Sequence, residues 1–458
     1  MNRRGFMRTM GAGAAALAAA RTARGARAQE GLRLGGNVIL YVSDDQGRND
    51  AGCFGNTVVR TPGLDMLAAG GVRFSRAFCT TPSCSPSRSV ILTGLHNHAT
   101  GQYGLQHADH HFQCFDNVRG LPVLLGDAGY RTAIAGKFHV GPEPSFHFQR
   151  TIGHGAPSEM AESCRGIFEE KSDTPFFLYF CPTEPHRPFK REGSAPVDPA
   201  AVRVPEYLPD TPECRAELAA YYGSIERCDS GLLRLIELLK ETGRWEDTMI
   251  IYVSDNGAPF PGAKTDLYEP GVNLPCVVRH PDATARGVVC DGLVTWADIT
   301  PTILDYAGVE PPKKGFHGAS FLPSILSGEA GARGEVFLSH TFHEVTMYYP
   351  MRCVRGMRHK LIWNIAHQLP HPFASDIWGS DTWQAFLKSG AEVYGRRRVD
   401  AFLHRPEYEL YDLEADPDEC VNLAEAPEHR ELLDAMKAKL RRFQEETKDP
   451  WVVKWEHE

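Results

Sequence analysis

Asn37-Val-Ile-Leu-Tyr-Val-Ser43, followed at once by Asp44-Asp45, is a near-continuous apolar run that ends in two carboxylates. Such a run suits a strand covered on both faces of a sheet. Three further runs have the same character. Arg131-Thr-Ala-Ile-Ala135 leads into Gly136-Lys137-Phe138-His139, Phe176-Phe-Leu-Tyr-Phe180 leads toward Glu184-Pro185-His186, and Met249-Ile-Ile-Tyr-Val-Ser254 leads into Asp255-Asn256-Gly257. Helical patterns separate them. Thr61 to Gly70 has Pro62 at a first turn and Leu64, Leu67 and Ala68 on one face. Leu121 to Ala128 is followed by Gly129, a C-terminal stop. Arg215 to Thr242 carries Leu232, Leu235, Ile236 and Leu239 at helical spacing and is followed by Gly243.

Strand–helix alternation of this kind predicts an open α/β sheet with helices on both faces. Ligands of such sheets bind beyond the carboxyl ends of the strands. The four polar endings are therefore expected to converge, although Asp44 and Asn256 lie more than 200 residues apart. After about residue 330 the pattern changes. Glu335–Ser339, Met351–Arg355 and Lys360–Trp363 read as short strands, and Arg430 to Thr447 reads as a helix with Leu432, Leu433, Met436 and Leu440 in register. The expected organisation is a large α/β domain over residues 36–330 and a smaller C-terminal α+β domain over 331–458.

Residues 1–28 read as an export signal. Arg3-Arg4 is a twin-arginine pair, Met10 to Ala20 is an apolar run, and Ala26-Arg27-Ala28 is a small-x-small cleavage site. The run is shorter than the roughly 20 residues needed to span a bilayer, and no later stretch is long and apolar enough. The expectation is a protein exported by the twin-arginine route to a periplasm or beyond, with no membrane span. Removing residues 1–28 removes six arginines and no acids, moving the formal net charge from −9 to −15. A chain this acidic has no overall attraction for polyanions, which excludes nucleic acid as a partner. Positive charge for an anionic ligand must be gathered locally. The twelve cysteines include no CxxC pair, which disfavours a zinc ribbon or a thioredoxin-type site. An exported chain is permitted disulfides, without the sequence giving their pairing.

Three motifs carry the chemistry. The first is Cys84-Ser85-Pro86-Ser87-Arg88 with Leu92-Thr93-Gly94 downstream. On the residues alone it also fits a turn fixed by Pro86 around a buried thiol. The second is Asp44-Asp45 with Asp255-Asn256: three carboxylates and an amide oxygen form a hard-oxygen set suited to calcium or magnesium rather than zinc. Each pair separately also fits a surface turn. The third is cationic: Gly136-Lys137-Phe138-His139, Pro185-His186-Arg187 and Lys264.

Cys84-Ser85-Pro86-Ser87-Arg88 resembles the C-x-P-S-R signature of the sulfatase family, and the other motifs follow in that family's order over almost the whole chain after residue 28. The resemblance implies an alkaline phosphatase-like fold, with a central mixed, mostly parallel sheet and a C-terminal subdomain holding a short antiparallel sheet. It implies one calcium ion held by Asp44, Asp45, Asp255, Asn256 and the modified Cys84. It also implies that a maturation enzyme oxidises Cys84 to formylglycine. A hydrated aldehyde has two hydroxyls on one carbon, so one attacks sulfur and the other expels sulfate by re-forming the aldehyde. By the same resemblance Arg88 orients the modified side chain, Lys137 contacts it and the sulfate, and His139 takes the proton during release. His186 contacts the sulfate and protonates the leaving atom, and Lys264 holds the sulfate from the far side.

Within the family, several segments are similar to the branch that hydrolyses N-sulfated glucosamine of heparan-type saccharides. They include Tyr103-Gly104-Leu105, Val140-Gly141-Pro142-Glu143, Asp255 to Pro261, His343 to Arg352, and Asp449-Pro450-Trp451. In the decapeptide His343 to Arg352, the residues His343, Glu344 and Arg352 become candidates for gripping the sugar, with domain packing as their alternative role. That branch also implies a homodimer. Two departures stand out: Lys264 replaces an arginine, losing its bidentate fork, and the stretch between Arg191 and Val204 is shorter than in animal members. The alternatives are an O-sulfate ester sulfatase acting on another glycan and a phosphodiester or phosphonate hydrolase of the same superfamily. A carbohydrate-binding protein with a dead site would have no use for a nucleophile.

Overall fold

The computed structural model describes residues 35–190 and 193–457. Residues 1–28, read as an export signal, and Arg191, at the edge of the shortened stretch, lie outside the described residues. Eight strands form the central sheet: β1 (Asn37–Ser43), β2 (Val72–Phe78), β3 (Arg131–Gly136), β4 (Arg150–Ile152), β5 (Phe176–Cys181), β6 (Thr248–Ser254), β7 (Cys276–Arg279) and β8 (Val288–Thr295). Their spatial order is β4-β3-β5-β1-β6-β7-β2-β8. All neighbours pair in parallel except β7, which runs antiparallel to both β6 and β2. The sheet is therefore mixed and mostly parallel, as expected.

Both faces of the sheet are covered, and β1 shows why its sequence is apolar throughout. Val38, Leu40 and Val42 enter one core cluster, while Ile39 and Tyr41 enter the other. The second face is packed by the helix Pro212–Glu241, through Leu232, Leu235, Ile236 and Leu239. The same face takes Leu64 and Leu67 of the helix Pro62–Ala69. The first face takes Val90, Ile91 and Leu92 of the helix Cys84–Thr93.

A second, antiparallel sheet comprises β9 (Glu335–Phe342), β10 (Tyr348–Gly356), β11 (His359–Asn364) and a later strand, Tyr408–Asp412. Val354, Leu361 and Leu410 pack on Leu433, Met436 and Leu440 of the helix Arg430–Thr447. Met351, Cys353 and Ile362 face the other way and belong to the same cluster as the first face of the central sheet. The small sheet is thus held to the large one by shared apolar core. Direct backbone bonds add to it: Ser339 N–H donates to the Thr80 carbonyl at 2.8 Å and Leu105 N–H to the His343 carbonyl at 2.9 Å. Among the described residues no helix is long and apolar enough to cross a membrane.

Candidate active site

The strands β3, β5, β1 and β6 are adjacent and parallel, so their carboxyl ends share one edge of the sheet. Gly136 pairs with Cys181, and Ser43 pairs with Ser254, which aligns the four chain exits. Asp44 and Asp45 follow β1, Lys137 and His139 follow β3, His186 follows β5, and Asp255 and Asn256 follow β6. Backbone bonds tie the exits together: Asp255 N–H donates to the Ser43 carbonyl and Asp44 N–H to the Glu184 carbonyl, both at 3.1 Å. The strand β2 ends at the same edge, and the chain then turns into the helix whose first residue is Cys84.

Cys84 is 1% exposed, and its sulfur lies 3.8 Å from Asp44 Oδ1 and 3.7 Å from Asp45 Oδ1. Burial, opposed by Lys137 and reinforced by Asp255 and Asp45, pushes the thiol well above its ordinary range. A bare thiol here is therefore a poor nucleophile at neutral pH. Arg88, one helical turn on, is fully buried and sets both Nε and Nη2 at 2.9 Å from Asp255 Oδ2. Its Nη2 is also 3.6 Å from Asp44 Oδ1. Lys137 Nζ sits 2.8 Å from both oxygens of Asp44. Burial alone would raise the Asp44 carboxyl, but Lys137 and His186 hold it below its ordinary value.

The expected ion ligands converge. Ligand atoms of Asp44, Cys84 and Asp255 lie within 4.8 Å of one another, as do those of Asp45, Cys84 and His186. Asn256 Nδ2 donates to Asp45 Oδ1 at 2.7 Å, and among the described residues no donor reaches the buried Asn256 Oδ1. A buried amide oxygen without a donor is costly, and a cation beside three carboxylates meets that need. The donor set is all hard oxygen apart from Cys84, so the residues fit a divalent ion of the calcium or magnesium class.

Lys264 occupies the opposite side of the site, 1% exposed, with Nζ 2.9 Å from Asp45 Oδ2, 2.8 Å from Asp376 Oδ2 and 3.2 Å from His186 Nε2. Its loop is fixed to the turn before Cys84 by Thr265 N–H, which donates to the Pro82 carbonyl at 2.8 Å. Asp45, His139 and Thr265 all hold left-handed backbone, with φ of 70°, 58° and 68°. For a β-branched threonine this is a genuine outlier, and such strain clusters at functional sites. His139 is half-buried, and burial followed by the Lys137 and Arg88 charges holds its pKa well below the ordinary value. Its Nδ1 is buried without a partner, while its Nε2 is in close contact with Nδ1 of His107.

The three candidates in the C-terminal part separate. His343 is buried beside the site, its Nδ1 2.9 Å from Ser83 Oγ, next to Cys84. Glu344 accepts a hydrogen bond from Ser375 N–H at 2.8 Å, at the start of the short helix that carries Asp376. Its carboxylate supports that helix. Arg352 takes the packing role that the sequence left open as its alternative. It is 2% exposed, its Nε and Nη2 form a bidentate pair with Asp449, and its Nη1 donates to the carbonyls of His340 and Met351. The guanidinium lies 4.7 Å from the Trp451 ring centroid. Arg352 therefore links two branch-like segments, His343 to Arg352 and Asp449-Pro450-Trp451, to each other. Sequence reading missed Asp376 and His107. The histidine-dense run His107 to His111 was a signal for the second, whereas Asp376 looks like any acid in a first helical turn.

The whole arrangement matches known proteins. Residues 36–309 match the family model described as Sulfatase, and the chain is 37% identical over 460 aligned residues to N-sulphoglucosamine sulphohydrolase of Homo sapiens, covering 91% of each chain. The chain belongs to the sulfatase family. As a member it is a hydrolase of sulfuric ester or sulfamate bonds. Residues 263–369 match a second model, N-sulphoglucosamine sulphohydrolase, C-terminal. The sulfatase chain is also 27% identical to an ulvan-active sulfatase of Formosa agariphila, over 86% of this chain and 77% of that one. Its fold is shared by a protein solved with its substrate D-glucosamine-2-N,6-O-disulfate, with a TM-score of 0.69 at 19% identity over 91% of this chain and 99% of that one. A 2-O GAG sulfatase gives a TM-score of 0.69 at 20% identity, covering 92% of this chain and 94% of that one. The twelve cysteines of this sulfatase are all free.

Proposed function

We propose that this sulfatase hydrolyses the N-sulfate of a terminal N-sulfoglucosamine in heparan-type saccharides, with Cys84 matured to formylglycine by a partner enzyme and with bound calcium. The observation that carries the reading is the match of residues 263–369 to the C-terminal model of N-sulphoglucosamine sulphohydrolases. That span holds both Lys264, against Asp45, and His343, against the residue before Cys84. The matched span therefore contributes Lys264 and His343 to the wall of the site. Export by the twin-arginine signal at residues 1–28 belongs to the same proposal.

The chain's own residues divide the work. Maturation of Cys84 supplies a hydrated aldehyde with one hydroxyl for attack and one for release. Asp44, Asp45, Asp255 and Asn256 would hold the calcium, which would supply positive charge to the site. Arg88 fixes Asp255 and the helix turn at Cys84. Lys137 and Lys264 bring fixed cations to the sulfate from two sides. His139 presents a buried Nδ1 that takes no hydrogen bond among the described residues, the atom assigned here to accept the proton during release. His186 sets Nδ1 2.5 Å from the Arg187 carbonyl, which places one proton there; as the imidazolium it carries a second proton on Nε2, the one for delivery, and Nε2 faces Lys264.

Matured protein should turn over N-sulfoglucosamine with a kcat/KM at least about a hundredfold above that for glucosamine 6-O-sulfate, the scale of discrimination by polar contacts at a reacting centre. Equal or better turnover of the ester, measured as released sulfate, would sink the N-sulfate assignment in favour of an O-sulfatase. Sulfate release from neither donor, together with cleavage of a phosphodiester, would favour the third reading. The metal is tested separately. Chelation should lower the melting temperature by several degrees and calcium should restore it, because an ion bound to the folded state alone stabilises that state. Restoration by zinc and not by calcium would contradict the hard-oxygen assignment.

A further inference from the structure

The site has a floor and a mouth. Side chains of Asp45 and Lys264 are 0% and 1% exposed, whereas those of Asp376 and His186 are 20% and 30% exposed. Asp376 Oδ2 lies 2.8 Å from Lys264 Nζ and 3.8 Å from His186 Nε2. Its Oδ1 takes no hydrogen bond among the described residues. The nucleophilic position, Cys84, is on the floor, so an in-line displacement at sulfur puts the leaving atom on the side of the mouth. A carboxylate there repels sulfate, and Lys264 already has Asp45 as a counter-charge at 2.9 Å. Asp376 thus brings a second anion to Lys264 at the mouth, where it attracts a cationic ligand and not a sulfate.

The leaving group of a sulfamate provides one. The sulfur–nitrogen bond breaks, its electron pair stays on nitrogen, and a proton from His186 gives the amine. A further proton from water makes it an ammonium near pH 7. A sulfate ester releases a neutral alcohol, which has no such charge. We propose that Asp376 is a specificity-determining residue that receives the leaving amine at the mouth of the site, an inference that rests on the N-sulfate reading above. Glu344, bonded to Ser375 N–H, holds the short helix on which Asp376 stands.

Titration calorimetry of the full chain with glucosamine and with glucose tests this without requiring turnover. The wild type should bind the amino sugar about ten- to a hundredfold tighter, the scale of a hydrogen bond to a charged group. Asp376→Asn should lose that preference. A wild type without the preference, or an Asp376→Asn protein that retains it, overturns the proposal. In kinetics, Asp376→Asn should lower kcat/KM for N-sulfoglucosamine about tenfold further than it lowers that for an aryl sulfate ester. Equal losses on both donors overturn it too, since they would mark Asp376 as a positioning residue for Lys264. Preferential amine binding by a wild type that does not cleave N-sulfoglucosamine would refute the parent reading and leave the amine site standing.

Discussion

Cys84→Ala is expected to retain the fold and to lose sulfate release by on the order of a thousandfold or more, the scale on which removal of a nucleophile acts. The fold survives because the side chain contributes little to packing. Cys84 opens a helix whose other residues Val90, Ile91 and Leu92 bury the apolar face, so loss of one sulfur costs only about 1 kcal/mol. Activity does not survive because nothing else at this depth can replace it. Asp44, Asp45 and Asp255 are committed to Lys137, Lys264 and Arg88, respectively. Circular-dichroism melting and sulfate release measured on the same preparation separate the two effects. Residual turnover of more than a few per cent of wild type would refute the nucleophile assignment. Mass spectrometry of the peptide containing Cys84 adds an independent check, because exchange of the CH2SH group for CHO changes its mass by a fixed amount.

The central sheet was legible because β1, β5 and β6 are buried on both faces and therefore read as unbroken apolar runs. That pattern alone places the carboxylates and His186 at one sheet edge. The strand β2 was missed for the converse reason. Val72-Arg-Phe-Ser-Arg-Ala-Phe78 has polar residues at Arg73, Ser75 and Arg76 that are only half-buried, so no continuous apolar run marks it. Cys84–Thr93 does not announce itself as a helix, because its first turn is Cys84-Ser85-Pro86-Ser87, poor in helix formers. Its Pro86 still fits the first turn, where no intrahelical N–H is required. The site shows the same division. Asp44, Asp45, Asp255, Asn256, Lys137, His139 and His186 follow strands directly, so topology positions them. Asp376 and Arg352 depend on contacts between distant segments, with Lys264 and with Asp449, which no local pattern encodes. The branch-like decapeptide therefore mixes one residue beside the site, His343, with one that packs, Arg352.

Arg88→Ala is expected to be damaging in both stability and activity. Arg88 and Asp255 are each fully buried, and the guanidinium places Nε and Nη2 on one carboxylate oxygen. Removing one partner of a buried pair leaves the other uncompensated and typically costs about 3–5 kcal/mol. Burial pushes the Asp255 carboxyl above its ordinary value and Arg88 is the first influence opposing it, so the substitution drives the carboxyl further toward its neutral form. A neutral Asp255 is a weaker ligand for a hard cation, and loss of the ion should follow loss of the arginine. Denaturant titration with and without calcium exposes that coupling: wild type should gain stability from calcium, and Arg88→Ala should gain less. Arg88→Lys should recover part of the stability, since it restores the charge, but little of the activity. A single ammonium cannot reproduce a planar fork that reaches Asp255 while Nη1 lies 3.4 Å from the Lys137 carbonyl. An Arg88→Ala protein that unfolds at the wild-type midpoint and responds fully to calcium would show that the ion alone neutralises Asp255. The arginine would then serve the reacting group and not the metal site.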